Sequence, residues 1–195
     1  MSGNIVIVNA FEPEDFFIRR LSQEYDNAIA GNGMISELLF VSTMYFSFAA
    51  FPQQYNFESL ENDLQKCVTA IKKASTLVFF TSYKPNMKTN PAFAQFVQRL
   101  FHLNNGEINK SIWGDINAYN QKVRIITVVD DEEAWKRYNR QRLPLALPIN
   151  KINFKLFGFG SVYSSTFGYL KDNQLNEYGI KCISTMHELG KKDCV

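Results

Sequence analysis

The sequence predicts an α/β fold in which a central five-stranded parallel sheet carries helices on both faces. The chain has five strand candidates, of which the run at 4–9 lacks polar alternation and, like the run at 76–81, is typical of a strand buried on both sides. Stretches with apolar residues at helical spacing separate these runs. This alternation of strands and helices indicates a sheet wound on both faces through right-handed crossovers.

The predicted elements follow one another without a linker or an internal repeat, so residues 1–195 are expected to form a single domain. The predicted strands span 4–9, 34–41, 76–81, 123–129 and 162–167, and the second also suits a helix by composition. The predicted helices span 13–30, 60–74, 90–101, 149–157 and 173–189. An aromatic-rich stretch at 42–57 is predicted as a long loop, which suits a substrate pocket, a dimer interface or simple burial.

The first predicted helix has apolar residues at regular helical spacing. Phe17, Leu21 and Tyr25 recur at four-residue steps, which places them on one face of a helix. Pro13 and neighbouring acidic residues suit the first turn, and glycines 31 and 33 suit the end.

Composition and charge exclude several classes of protein. The chain is 46% hydrophobic and 21% charged, which rules out global disorder. A net charge of +2 gives no basic face for nucleic acid. Three scattered Cys and two His predict neither a disulfide scaffold nor a metal site. Without a signal peptide or a long apolar segment, the chain is expected to be cytoplasmic and without a membrane span.

Several motifs that mark nucleotide-binding and hydrolytic enzymes are absent from the sequence. No G-x-G-x-x-G follows the first strand, and neither a P-loop nor a G-x-S-x-G string occurs, which argues against Rossmann dehydrogenases, P-loop NTPases and α/β-hydrolases. A sheet wound on both faces binds ligands outside the carboxyl ends of its strands, where the strand order reverses. The candidate loops are therefore 9–16, 82–90 and the segment from Asp130 onward.

Three segments, together with chain length and element order, resemble the flavodoxin-like NAD(P)H:quinone oxidoreductases and FMN reductases. The segments are the loop Thr81-Ser82-Tyr83-Lys84-Pro85-Asn86-Met87, the helical Phe96-Val97-Gln98-Arg99-Leu100-Phe101, and the C-terminal Phe157-Gly158-Phe159-Gly160 with Thr166-Phe167-Gly168. The resemblance implies a flavodoxin-like three-layer sandwich, FMN as cofactor, NAD(P)H as reductant, a quinone or similar acceptor, and a homodimer.

The resemblance also implies which residues contact the cofactor, although it assigns no catalytic residue. In the loop expected to hold the phosphate, these residues are Asn9, Phe11, Phe16 and Phe17. The residues expected to border the flavin ring are Ser82, Tyr83, Lys84, Pro85, Asn86 and Met87. After the fourth strand, the expected contacts are Val129 and Asp130. Aromatic residues between 45 and 55 would cover the acceptor.

The first of these loops departs from the family pattern. It has no Ser, Thr or Gly, and it places Glu12, Glu14 and Asp15 where a phosphate would sit, while Pro13 removes one N–H donor. These acids also suit a helix start. Two functions therefore stay open: an FMN-dependent oxidoreductase, and a non-catalytic binding or regulatory module in which phenylalanines fill the cradle.

Overall fold

The computed structural model describes most of the chain. The described residues are 4–46, 56–83, 91–101, 103–104, 107–108, 110–114, 118–141, 154–155, 157–168, 170 and 176–194. Four predicted site residues, Lys84, Pro85, Asn86 and Met87, lie outside them. So do residues 47–55 of the aromatic-rich stretch and most of the predicted helix at 149–157.

All five predicted strands are confirmed, with ends that differ by at most two residues from the expected ones. The strands are β1 Asn4–Ala10, β2 Ser36–Phe40, β3 Ala74–Tyr83, β4 Leu103–Asn104, β5 Glu107–Ile108, β6 Lys122–Val129 and β7 Ser161–Phe167. The helices are α1 Phe16–Gly31, α2 Asn62–Lys73, α3 Pro91–Leu100, α4 Lys110–Trp113, α5 Glu132–Gln141 and α6 Glu177–Asp193. Single turns of 3₁₀-helix span Val41–Thr43, Phe57–Ser59 and Ala118–Asn120.

The main sheet has five strands in the order β2-β1-β3-β6-β7, and every neighbouring pair is parallel. In its centre, Val8 of β1 lies opposite Leu39 of β2 and Phe79 of β3. The chain moves outward from β1 to β2 and then returns to the other side of β1 to form β3. The strand order therefore reverses between β1 and β3.

Side chains of the sheet alternate between two hydrophobic clusters, which makes the fold a three-layer sandwich. Phe79 points toward the layer that contains α2 and α3, where it shares a cluster with Leu64 and Phe96. Phe80 points toward α1 and α6, where it shares a cluster with Tyr25 and Met186. The expected architecture, a parallel sheet covered on both faces, is confirmed.

The helix boundaries that differ most from the expected ones are the start of α1 and both ends of α6, which begins at Glu177 rather than at residue 173. α1 begins at Phe16, because Asp15 N–H bonds to the carbonyl of Glu12 (3.0 Å) in a turn that precedes the helix. Pro13 and the acidic residues therefore lie before the first helical turn. At the other end, Gly33 adopts a φ of 74° and its N–H bonds to the carbonyl of Ala30, which stops the helix as expected. α6 runs on to Asp193, four residues beyond its expected end.

α5 and the short β4–β5 hairpin were not predicted. The acidic run after β6 was interpreted as part of a loop, whereas Asp131 caps α5 by accepting the N–H of Ala134 at its Oδ1 (2.7 Å). Glu132 and Glu133 then occupy the first turn, where acidic side chains are favourable. Across the described segments, no helix is both long and apolar enough to cross a bilayer.

Candidate functional site

The carboxyl ends of β1 and β3 form the point at which the strand order reverses. Ala10 at the end of β1 lies opposite Thr81 of β3, and Thr81 in turn lies opposite Thr127 of β6. Both neighbouring connections leave the sheet from this edge, one toward α1 and the other beyond Tyr83. Folds with this strand order bind their ligands in the crevice at this place.

A carboxylate occupies the first loop of this crevice. Oδ2 of Asp15 accepts a hydrogen bond from the hydroxyl of Ser82 (3.0 Å) and a longer one from the backbone N–H of Glu12 (3.3 Å). Asp15 thereby connects the end of β3 to the loop that follows β1. The side chain stands at the start of α1 but makes no capping hydrogen bond to that helix.

Most of the other predicted residues of the first loop contact the protein interior. The side-chain oxygen of Asn9 accepts the hydroxyl proton of Ser22 (2.7 Å), which ties β1 to α1 in a buried contact. Phe11 and Phe17 are buried in the cluster between the sheet, α1 and α6. Phe16, in contrast, is 37% exposed.

The ends of β3 and β6 meet beside this loop. The carbonyl of Tyr83 accepts the N–H of Asp130 (3.0 Å), so the two strands stay paired up to their last residues. Tyr83 is half-buried, Val129 is buried and Asp130 is exposed. The buried hydroxyl of Thr81 has no hydrogen-bond partner, which is rare for a buried polar group.

An aromatic group that the sequence interpretation missed lies at the ends of β6 and β7. Trp135 and Tyr138 of α5 stack with ring centroids 5.6 Å apart and an angle of 16° between their planes. A Cβ added at Gly168 would lie 2.1 Å from Cε2 of Trp135. The end of β7 therefore packs so closely against this indole that only glycine fits at position 168. The N–H of Gly168 donates to the hydroxyl of Tyr178 (2.6 Å), and burial raises the pKa of Tyr178 to about 12.

The structure therefore brings together the described parts of the three predicted ligand loops. These parts are the loop after β1, the end of β3 and the end of β6. Sequence reasoning could have found α5, since an Asp followed by two Glu is a common helix start. The pairing of Asp15 with Ser82 depends on contact between distant segments and left no signal in the sequence.

The phosphate of FMN does not fit the first loop as it is folded. A phosphate site at this position needs free backbone N–H groups and hydroxyls. Here the Glu12 N–H and the Ser82 hydroxyl already bond to Asp15. The first N–H groups of α1 have no side-chain cap, but an anion that reached them would lie against the carboxylate that directly precedes the helix.

Several solved structures share this architecture. An NAD(P)H:quinone oxidoreductase from Methanothermobacter marburgensis superposes with a TM-score of 0.68 at 13% identity, over 98% of each chain. The chain has the flavodoxin-like fold. An azoreductase from Bacillus anthracis matches this flavodoxin-like domain with a TM-score of 0.65 at 11% identity, again over 98% of each chain. A quinone reductase described as putative, from Klebsiella pneumoniae, has a TM-score of 0.68 at 11% identity, over 96% of this chain and 83% of its own.

Sequence comparisons give no further assignment. No protein-family model matches the chain, and no curated protein matches it. Identities between 11% and 13% establish the fold and leave the reaction to be argued from the residues.

Proposed function

We propose that the chain is an oxidoreductase that uses a bound flavin to pass electrons from NAD(P)H to a quinone or a similar acceptor. The observation that carries this proposal is the reversal of strand order between β1 and β3, in a parallel sheet of order β2-β1-β3-β6-β7. Solved structures with this fold include chains named as quinone and azo reductases. Because the phosphate of FMN does not fit the first loop, we propose only that a flavin ring binds at this edge and do not specify the group at the end of its ribityl chain.

The net reaction conserves electrons and protons. NAD(P)H gives up a hydride, which carries two electrons and one proton, and becomes NAD(P)⁺. A quinone gains the two electrons and that proton, takes a second proton from water, and leaves as the hydroquinone. The flavin supplies the electron-transfer chemistry when it is bound, and the chain supplies a crevice that orients the reactants. A homodimer stays a prediction of the family resemblance.

The test is flavin uptake followed by turnover. Purified protein is incubated with riboflavin or FMN, freed from unbound flavin, and examined for visible flavin absorption. Quinone-dependent oxidation of NADH and NADPH is then measured. We expect retained flavin and a turnover that requires both the reductant and the acceptor; the absence of both results would contradict the proposal.

A pair of tyrosine variants localises the activity. Tyr83 is half-buried at the end of β3, whereas Tyr119 is 78% exposed on the turn that precedes β6, at the opposite edge of the sheet. We expect Tyr83→Ala to lower quinone-dependent turnover about tenfold or more, because a side chain that positions a reactant has effects of this size. Tyr119→Ala is expected to leave the rate within about twofold.

The second candidate is the non-catalytic module. The position of Asp15 on the loop donors favours it, as does the burial of Phe11 and Phe17 next to the same loop. This alternative predicts that the protein stays colourless after incubation with either flavin. The same uptake experiment therefore separates the two functions.

A further inference from the structure

The two edge strands of the main sheet differ in the side chains that they expose. β2 forms one edge and pairs only with β1 among the described strands. In and next to β2, Ile35 is 88% exposed, Leu38 40% and Phe40 42%. β7 forms the other edge and consists mostly of Ser and Thr, and the guanidinium of Arg124 covers its exposed Tyr163 ring (5.3 Å to the centroid). β2 is therefore the apolar edge of the sheet.

β2 lacks the features that protect edge strands from pairing with another chain. Such strands are commonly blocked by Pro, by Lys or by a β-bulge. β2 contains neither Pro nor Lys, and its register with β1 runs from Ser36 to Phe40 without a bulge. A regular, exposed and apolar edge of this kind is suited to the addition of a further strand.

The two faces of β2 differ in chemistry, because successive side chains alternate across a strand. Leu38 lies opposite Ile7 of β1, on the α1 face of the sheet, and Phe40 shares that face. Glu37 lies opposite Val6, on the α2 face. A strand that pairs with β2 therefore meets apolar side chains on one face and a charged one on the other.

On the charged face, an open groove of about 460 Å³ separates β2 from α2. Glu37 lines it from the strand, and Lys66 and Lys73 line it from the helix. Lys66 pairs with Asp63 (3.2 Å), whereas Glu37 and Lys73 have no ion pair with any residue that the structure describes. The groove therefore favours an incoming strand that carries a carboxylate.

The strand that meets both requirements is a second copy of β2. When two copies pair antiparallel about Leu38, the Leu38 side chains face each other and the apolar face continues from one copy to the next. Glu37 then lies opposite Leu39 of the other copy and reaches the lysine-lined groove. Moving the axis to Glu37 would place two carboxylates directly opposite each other, which is unfavourable.

We propose that two copies of the chain associate through β2, antiparallel about Leu38, so that their main sheets join into one. The interface is isologous, because the same strand contributes from each copy, and it closes at the dimer. Since β2 has only five residues, the buried surface is small, and we expect a Kd on the order of 10–100 µM. Neither a flavin nor catalysis enters this association, so it is independent of the proposed function.

The first experiment follows the mass of the full chain as its concentration rises. Sedimentation equilibrium between about 1 and 500 µM brackets the expected Kd. Leu38→Lys sets two like charges against each other at the axis and is expected to weaken the dimer about tenfold or more. Ile180→Lys is the matched control, because it introduces the same charge at an exposed apolar residue of α6, and we expect its Kd to change by about twofold or less.

An exchange of charges tests the groove. Glu37→Lys brings an ammonium group to the lysines of the other copy and is expected to weaken the dimer about fivefold. Adding Lys73→Glu to that variant restores an opposite charge and is expected to recover most of the affinity. A strand that was merely damaged by the first substitution would not be rescued in this way. Far-UV circular dichroism and urea unfolding check that each variant is folded.

A cysteine at the axis tests the register. Leu38→Cys is made together with Cys194→Ser, because Cys67 and Cys182 are buried and Cys194 is not fully so. The two new cysteines would lie directly opposite each other, within reach of a disulfide, and we expect mild oxidation to give a covalent dimer. Ile180→Cys in the same background is expected to stay uncrosslinked.

The other outcomes each overturn the proposal. A chain that stays monomeric over the whole range has no interface at β2. A dimer that Leu38→Lys leaves intact forms through another surface, and species larger than a dimer are inconsistent with a closed pair. A dimer that Leu38→Lys disrupts but that Leu38→Cys fails to crosslink has a different register.

Discussion

Two aspartates stand at opposite edges of the sheet, and their surroundings differ in kind. Asp15 lies at the carboxyl edge, is half-buried, and accepts a backbone N–H and a hydroxyl. Asp193 lies at the end of α6, beside the first residues of β6, with a side chain that is 1% exposed. Its Oδ1 accepts from Arg124 Nη2 (2.8 Å), and its Oδ2 accepts from Arg124 Nε and from the hydroxyl of Tyr25 (2.5 Å).

The contrast is between a buried carboxylate that joins three elements of the fold and a half-buried one in the loop after β1. Burial alone would raise the pKa of Asp193, but hydrogen bonds from Arg124 and Tyr25 hold this pKa below its usual value. Burial, followed by the charge of Asp193, raises the pKa of Tyr25, so its hydroxyl stays protonated and donates. The cluster joins α1, β6 and α6. Asp15, in contrast, is half-buried in the loop after β1, so we expect its substitution to change the free energy of unfolding less than that of Asp193.

Asp193→Asn is expected to have the largest effect on stability. It leaves the buried guanidinium of Arg124 without its anion, and breaking a buried pair in this way costs about 3–5 kcal/mol. Urea unfolding followed by circular dichroism measures the change. Glu188→Gln on the same helix is the control: its exposed pair with Lys191 is worth less than about 1 kcal/mol. Equal losses in both variants would contradict the structural role of Asp193.

The same cluster predicts a dependence on pH. Because the pKa of Asp193 is lower in the folded chain than in the unfolded chain, its contribution to stability is complete above the unfolded value of about 4. The contribution is lost as the pH falls through the folded value. Urea midpoints measured downward from about pH 5 should therefore fall more steeply for wild type than for Asp193→Asn. Parallel curves would show that Asp193 does not titrate as described.

A glycine pair tests the packing around this cluster. A Cβ at Gly190 of α6 would lie 2.7 Å from the carbonyl oxygen of Tyr25 and 2.8 Å from Cβ of Ala28. We expect Gly190→Ala to lower the free energy of unfolding by about 1–2 kcal/mol, the cost of overpacking less the gain in helix propensity. Gly31→Ala is the control, since nothing lies within 4 Å of its added Cβ. If the thermal unfolding temperature of Gly31→Ala were lower than that of Gly190→Ala, the close approach of α1 and α6 would be refuted.

Ser82→Ala is expected to have the smallest effect, and it sharpens the role of Asp15. It removes one donor from the carboxylate but leaves the carboxylate in the crevice, so stability should fall by about 1 kcal/mol or less. Ser75→Ala, which removes an exposed bond to Asn4 at the other end of β3, controls for loss of a hydroxyl. A loss of stability in Ser82→Ala no larger than in Ser75→Ala would contradict a specific role for the Ser82 bond to Asp15.

Local patterns were enough to predict the central strands of the sheet, because β1, β3 and β6 are mostly apolar runs that are buried on both faces. The run Ile5-Val6-Ile7-Val8 is buried on both faces, as its lack of alternation predicts. α5 was missed because its few apolar residues, such as Trp135 and Tyr138, form no long stripe, and its acidic start was interpreted as a loop.

The site was less predictable because its contacts join distant segments. Asp15 and Ser82 are 67 residues apart, and Tyr25 and Asp193 are 168 apart. Asp193 lies in a Lys-rich segment that resembles an exposed tail, and only the packing of α6 on α1 shows that it is buried. Which loops meet could be inferred from the fold class, whereas the atoms that bond within them could not.

The contact between Trp135 and Gly168 also gives the chain an optical reporter. The protein has two tryptophans. Trp113 is buried in the core on the α2 and α3 side, with its N–H donated to the carbonyl of Leu100 (2.6 Å), so its emission reports whether that core is intact. Trp135 is half-buried against the end of β7, at the edge where ligands are expected, so we expect its emission to respond to ligand binding there. Replacing either tryptophan with phenylalanine would let fluorescence follow unfolding and ligand entry as separate signals.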